Sequence, residues 1–322
     1  MCQALFYREL RNLLCLSALV LLLFSSCRST RQFVSPLPEE YTVRMSRSSA
    51  SGYKNVKRVR QYEFAHRDVP AAFNGCRLAF ISDLHYRSLL KKEGLEDITR
   101  LLNDLHPDAL LIGGDLHEGC EYVPDVIAAL GAVKTPLGTY AVLGNNDYEA
   151  CYDDILKEME RQGIHLLEHK ADTLRRNGEH IVIAGVRNPF DIGQNGQSPT
   201  LSLAPEDFVV LLTHTPDYAE DVPITNTDLV LAGHTHGGQV TVFGLYAPII
   251  PSHYGQRFLT GLKYNSSNTP NYYNQRHWYF QQECPSLRTE RGGGDHTAFT
   301  PMRRVYEARG VGDGEKAMTC QA

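Results

Sequence analysis

Five apolar runs in this chain each end directly in a polar block of fixed chemistry, and that alternation constrains the fold more than any other feature. Leu78-Ala79-Phe80-Ile81 leads into Asp83-Leu84-His85, Ala109 to Ile112 into Gly113-Gly114-Asp115, and Tyr140 to Leu143 into Gly144-Asn145-Asn146-Asp147. Val209 to Leu212 leads into His214, and Leu229 to Ala232 into Gly233-His234-Thr235-His236-Gly237-Gly238-Gln239. Short aliphatic runs of this length read as buried strands of a parallel sheet. Polar groups at the ends of such strands converge on one rim, where open α/β folds bind their ligands. In Asp83-Leu84-His85 and again in His234-Thr235-His236, two polar side chains lie two residues apart and share one face of an extended segment.

Between the runs the period changes. Leu95, Ile98, Leu101, Leu102 and Leu105 have helical spacing that stops at His106-Pro107, and helices are also expected over Val123–Leu130 and Asp153–Gln162, the last ended by Gly163. Strands are expected over Arg77–Ile81, Ala109–Ile112 and Thr139–Leu143. Beyond them, Thr173-Leu174, Asn177-Gly178 and Ile181 to Gly185 read as a hairpin with a tight turn. Strands added without intervening helices favour a second sheet packed on the first. Residues 191–199 have the composition of an exposed loop.

The chain of 322 residues, 42% hydrophobic, is long enough for one large core, and its net charge of −5 with no basic stripe in the block region argues against nucleic acid. Arg8 and Arg11 precede an apolar run from Leu13 to Phe24 and then Ser25-Ser26-Cys27, the plan of a secretory signal. Cys27 is the expected lipidated first residue of an exported, membrane-associated chain, with an uncleaved anchor as the alternative. Residues 28–70 read as a tether with at most one strand, near Val43 or Tyr62–Phe64. No zinc-type pair exists among the cysteines. Cys120 and Cys151 follow two of the polar blocks and could meet on the same rim, although two free thiols are the expected state.

Each polar block has an ordinary explanation by itself: Asp83 as a helix cap, Asn145-Asn146 as a turn, His214 as a packed histidine. Those explanations are independent and all would have to hold at once, so the blocks are read as a constellation. The series resembles the calcineurin-like metallophosphoesterase family, whose motifs run D-x-H, G-D, G-N-H-[DE], H and G-H-x-H; the likeness covers about residues 76–270. The G-H-T-H-G-G-Q ending is similar to the membrane-associated bacterial branch that includes diacylglucosamine pyrophosphohydrolase-like proteins.

The resemblance implies a four-layer α/β/β/α sandwich with two divalent ions (Mn, Fe, Zn, Ni or Co), and a monomer is expected. It puts Asp83, His85, Asp115 and His236 on one ion and Asp115, Asn145, His214 and His234 on the other, with Asp115 as the bridge. The implied chemistry is attack of a metal-bridging hydroxide on a phosphoester or phosphoanhydride, with His234 stabilising charge and Asp147 orienting a ligand histidine. The family motif has histidine where this chain has Asn146, and an amide cannot act as a general acid. Substrates with good leaving groups, or a substitute donor such as His117, follow from that departure; His253 is a further residue that could face phosphate. The expected substrate is a phosphoester or phospholipid-type molecule of the cell envelope. The rival readings are a pyrophosphohydrolase acting on a nucleotide-linked lipid and a catalytically silent envelope binding protein.

After Pro270 the composition shifts. Asn271 to Tyr279 carries the only tryptophan, Trp278, and Arg291-Gly292-Gly293-Gly294-Asp295-His296 has no period. Read one base downstream, permitted codons for residues 271–299 spell ITTTNGIGTSNRNVRLYAPSEVVVITLH, a glycine turn followed by an apolar strand of the kind the related proteins have. Residues 271–322 are therefore expected to be an atypical tail read out of frame.

Overall fold

The computed structural model describes residues 41–50, 52–148, 150–187, 197–237, 247, 250–266, 269–273 and 300–310. The segment expected to be a leader, with Cys27, most of the loop expected at 191–199, Gly238-Gln239 of the last block and residues 274–299 lie outside the described residues. Two sheets carry the fold. The first has seven strands in the order β1 (Tyr41–Ser49), β2 (Val56–His66), β13 (Thr300–Gly310), β3 (Arg77–Ile81), β4 (Ala109–Ile112), β5 (Thr139–Ala141) and β6 (Ile164–Leu166). From β13 to β6 the neighbours are parallel, whereas β1, β2 and β13 pair antiparallel. The second sheet has the order β11 (Gly261–Tyr264), β12 (Pro270–Tyr273), β10 (Leu229–Ala232), β9 (Val209–Thr213), β8 (Glu179–Gly185) and β7 (Lys170–Arg176).

Strand alternation decides which layer each side chain enters. Leu78 and Phe80 of β3 join Leu111, Ile181, Ile183, Val210, Leu212 and Leu231 between the sheets. Ala79 and Ile81 face the other way, against Ile98, Leu102, Ile127 and Ile155 of the outer helices Lys92–Asp104, Val123–Gly131 and Tyr152–Gln162. Each such aliphatic side chain taken fully out of water contributes about 1.5–3 kcal/mol. On the far side Val209, Leu211 and Val230 pack with Tyr218 and Ala219 of the short helix Tyr218–Asp221 and with Val222 and Ile224. The expected α/β/β/α sandwich is the observed architecture, with a thin fourth layer among the described residues.

Local signals behave as the residues demand. The helix Tyr152–Gln162 ends on Gly163 in the left-handed conformation (φ 67°). The β7–β8 turn has Asn177 and Gly178 both at positive φ (50° and 84°), the twist that a two-residue hairpin needs. Two expectations are corrected. The stretch read as a tether becomes an antiparallel hairpin from Tyr41 onward, because β2 buries Arg60, Gln61 and His66 beside its apolar residues and so hides its alternation. Cys120 and Cys151 form a disulfide with Cα atoms 5.2 Å apart, joining the loop after β4 to the residue before the helix Tyr152–Gln162. No helix of the described residues is long and apolar enough to cross a membrane.

Candidate metal centre

All five polar blocks, the last as far as Gly237, sit at the C-terminal ends of parallel strands, β3, β4 and β5 in one sheet and β9 and β10 in the other. The rim is knit by backbone bonds. Asp83 N–H donates to Gly114 O (2.8 Å), His85 N–H to Asp115 O (3.0 Å) and Gly233 N–H to His214 O (2.8 Å). Gly144 is required by close approach, since a Cβ there would collide with the Asp115 carboxylate. Five of the residues singled out from sequence, Asp83, His85, Asp115, His234 and His236, hold positive φ between 42° and 69°. That conformation costs an L-residue about 1–2 kcal/mol. Such a concentration of strain at one rim marks a site held in shape by its surroundings.

The side chains converge as two groups that share one carboxylate. Ligand atoms of Asp83, His85, Asp115 and His236 lie within 4.8 Å of one another, and so do those of Asp115, His214 and His234. Asp115 Oδ2 is 3.4 Å from His85 Nε2 on one side and 3.4 Å from His214 Nε2 on the other. His236 Nε2 is 3.6 Å from Asp83 Oδ1. His214 Nε2 is 3.1 Å from His234 Nδ1 and 3.2 Å from the Asn145 side-chain oxygen. Ligands held about 2.0–2.2 Å from one ion stand roughly 3.0–3.5 Å apart, so these separations match the edges of coordination polyhedra. The buried His85 Nε2 makes no hydrogen bond. The donor set of carboxylates, imidazoles and one amide suits a divalent transition ion, and the residues fit two of them.

Supporting groups aim the imidazoles. His214 Nδ1 lies 2.7 Å from Gly113 O, which turns Nε2 toward Asp115. His85 Nδ1 faces Glu118 Oε1 at 2.5 Å, with Asn146 Nδ2 at 3.3 Å. The Asp83 carboxylate accepts the His234 N–H at 3.0 and 3.1 Å and the Ser82 hydroxyl. Sequence reading passed over Ser82 and Glu118; Glu118 stands three residues after Asp115 in the same turn, the one signal that pointed to it.

Asp147 has a different task from the one expected. It is fully buried and accepts backbone N–H groups from Asp115 (2.7 Å), Leu116 (2.9 Å) and Gly144 (2.9 Å), so it clamps two ligand loops together rather than orienting a ligand histidine. Asn146 donates its backbone N–H to Asp115 Oδ1 (3.0 Å) and accepts from Asn145 Nδ2 (2.8 Å). His117 is turned into this supporting layer, Nε2 3.8 Å from Asp147 and Nδ1 accepting from Gly119 N–H, while His253 has a 90% exposed side chain beside Asp217. Neither joins the two groups. A third group, His66 with Asp68 and Asp228, lies at the opposite end of the strands; its Nδ1 accepts the Asp68 N–H and its Nε2 is 3.6 Å from Asp228 just before β10.

The electrostatics follow from burial opposed by close countercharge. Burial pushes the Asp115 carboxyl up, but the imidazoles of His214 and His85 outweigh it and hold the group below the usual carboxylate range. Burial pushes His214 down, and Asp115 and Asp83 overcome that to raise it to about 10. His234, buried and beside His214, falls to about 4.

Residues 76–238, just over half the chain, match the profile of the calcineurin-like phosphoesterase family. An uncharacterized metallophosphoesterase of Bacillus subtilis (strain 168), YkuE, is 29% identical over 213 residues, 64% of this chain and 73% of that protein. A transmembrane protein with metallophosphoesterase domain from Danio rerio is 29% identical over 187 residues, which cover 53% of this chain and 43% of that one. Among solved structures, the phosphopantetheinyl hydrolase PptH of Mycobacterium tuberculosis aligns at 16% identity and a TM-score of 0.33 over 52% of this chain and 86% of that one. The matched span contains every strand-end block from Asp83 to Gly237, and the chain accordingly belongs to the calcineurin-like phosphoesterase family, as a phosphoester hydrolase.

Proposed function

We propose that the protein is a dinuclear, metal-dependent hydrolase of phosphodiester or phosphoanhydride bonds in the cell envelope. The observation that carries this reading is Asp115 Oδ2, equidistant at 3.4 Å from His85 and His214, one in each ligand group. Two bound divalent ions would supply an activated water and neutralise charge on the attacking and leaving oxygens. Asp83, His85, Asp115 and His236 would hold one ion and Asp115, Asn145, His214 and His234 the other. The chain's own contribution is orientation: Gly113 O and Glu118 direct the imidazoles, Asp83 fixes the His234 backbone, and Asp147 keeps the β4 and β5 loops in register. With an amide at Asn146, the position beside His85 that the family motif fills with histidine has no imidazole to protonate a poor leaving group, which favours phosphoanhydrides and activated diesters. The same preference supports the likeness to pyrophosphohydrolases of the membrane-associated branch.

Placement in the envelope is supported by the leader ending in Cys27 and by the Cys120–Cys151 bridge, since disulfides persist in oxidising compartments. Loss of membrane association in Cys27→Ser is the expected sign of lipidation there; an intact Met1 terminus in the membrane fraction would replace it with an anchor. The test of the activity couples metal content to turnover. Protein reloaded after chelation should hold two ions and cleave aryl phosphodiesters or pyrophosphate-linked lipids. Asp115→Asn should lose both ions' tight binding and more than about hundredfold in kcat/KM, beyond the 10–100-fold typical of an outer-shell loss. Two ions retained with near-normal turnover in that variant would overturn the assignment.

A further inference from the structure

An aromatic and charged cluster stands on the same rim, outside both ligand groups. Tyr148 ends the turn that begins at Asn145-Asn146, and its ring stacks on Tyr152 with centroids 5.5 Å apart and planes 26° apart. Both hydroxyls donate to one carboxylate, Tyr148 to Glu168 Oε1 (2.6 Å) and Tyr152 to Glu168 Oε2 (2.7 Å), so the two rings form a fixed shelf. Burial and the Glu168 charge push the Tyr152 hydroxyl up to about 12, which keeps it a donor. Across this shelf lies Arg187, its guanidinium carbon 5.0 Å from the Tyr148 centroid and 5.8 Å from that of Tyr152.

Arg187 is brought to the metal centre from both sides. Val186 N–H donates to Leu212 O (3.2 Å), continuing the parallel β8–β9 pairing, so Arg187 emerges one strand spacing from the turn that carries His214. The shelf beneath it hangs from the turn that carries Asn145, and Asn145 is 3.2 Å from His214. Among the described residues the guanidinium's ion pair is a loose one, Nε 3.9 Å from Glu168 Oε1, and the side chain is 48% exposed. A planar cation held over two rings, with a side chain still half exposed, is preorganised for bidentate binding of an oxyanion.

We infer that Arg187, held on the Tyr148–Tyr152 shelf, recognises a second phosphate that the substrate carries beyond the scissile one. This rests on the hydrolase reading above and adds a substrate class to it: diphosphates, or phosphodiesters whose alcohol bears another phosphate. The metal ligands would bind the scissile group and Arg187 its neighbour, so substrates with one phosphate would use only half of the site.

The test compares two substrates that differ in one group, an alkyl p-nitrophenyl phosphodiester and the same compound phosphorylated on its alkyl arm. Metal-loaded wild type should prefer the phosphorylated substrate in kcat/KM. Arg187→Ala should reduce that preference about tenfold, through KM, and Arg187→Lys, which keeps the charge but loses the fork, should fall between. Melting curves and metal stoichiometry of both variants separate this effect from damage to the fold. An active wild type that shows no preference, or a preference that survives in Arg187→Ala, overturns the inference alone. A two-metal wild type inactive on both substrates overturns the hydrolase reading and this inference with it.

Discussion

At the residue scale, the centre sets like against unlike charge among largely buried side chains, and His214 shows what that does. Its metal-free imidazole is raised to about 10 by Asp115 and Asp83 against the downward push of burial, so it carries a proton at pH 7. An ion that takes Nε2 must expel that proton. Metal uptake at pH 7 should therefore release about one proton from this residue, and apparent affinity should rise by roughly tenfold per pH unit between about 7 and 9. Calorimetry in buffers of different ionisation enthalpy reads this directly, and a heat independent of buffer would show that His214 binds without giving up a proton and overturn its charged state in the metal-free protein. The sign for folding is opposite. A group raised in the folded state stabilises fully below its unfolded value near 6.5 and loses that contribution as pH climbs toward about 10, so the metal-stripped protein should melt at lower temperature at pH 9 than at pH 6. Asn146 carries the second residue-scale prediction. If no group replaces the missing acid, rates across an aryl-to-alkyl phosphodiester series should fall steeply as leaving-group pKa rises, and Asn146→His should flatten the slope. A wild-type series already flat would show that another donor serves the leaving oxygen.

At the scale of elements, the Cys120–Cys151 bridge closes a separation of 31 residues between the loops that carry Asp115 and Asn145. Loop-closure entropy assigns a cross-link of that span about 3–4 kcal/mol. Cys120→Ser with Cys151→Ser should lower the unfolding free energy by that order in denaturant titration, with a larger m-value as the unfolded chain expands; a midpoint unmoved by the double substitution would mean that Asp147 alone holds the two loops. The strands that bear ligands were legible because each is a short, uninterrupted apolar run: Arg77–Ile81 and Ala109–Ile112 have the expected boundaries. The Asn177-Gly178 hairpin was legible because its turn has few other uses. What stayed hidden depended on partners distant in sequence. Arg60 and Gln61 are buried in β2 only because strands flank it on both sides, so their polarity read as tether. Glu118 and Arg187 gain meaning from His85 and from the two tyrosine rings, contacts that no spacing rule contains. The residues that converge on the rim were singled out through local pattern and family motif, whereas the task of Asp147 required the three backbone donors that converge on it.

At the scale of the whole molecule, the first sheet is continuous only because Thr300–Gly310 lies between β2 and β3, antiparallel to one and parallel to the other. That is an interior position of the sheet, next to strands whose residues fill the layers on both faces, and interior parallel strands are ordinarily near-continuous apolar runs. The segment in that position contains Arg303, Arg304, Glu307 and Arg309. Permitted codons for residues 271–299, read in the neighbouring frame, allow what the position calls for, a Val-Val-Val-Ile run preceded by a glycine turn. Its glycine is not a free choice of codons, since the single codon of Trp278 followed by that of Tyr279 forces it. We therefore expect the gene to carry a small insertion or deletion near codon 271, and the frame-corrected chain to place its apolar run between β2 and β3. Four aliphatic side chains buried there, at about 1.5–3 kcal/mol each before losses elsewhere, should raise the thermal midpoint by roughly 5 °C or more. The corrected chain should also resist limited proteolysis beyond residue 270 better than the chain as written. The nucleotide sequence of the gene is the decisive measurement: a displaced frame that does not encode an unbroken apolar strand after the N-G-I-G-T turn would make residues 271–322 a genuine extension, and Thr300–Gly310 the native central strand.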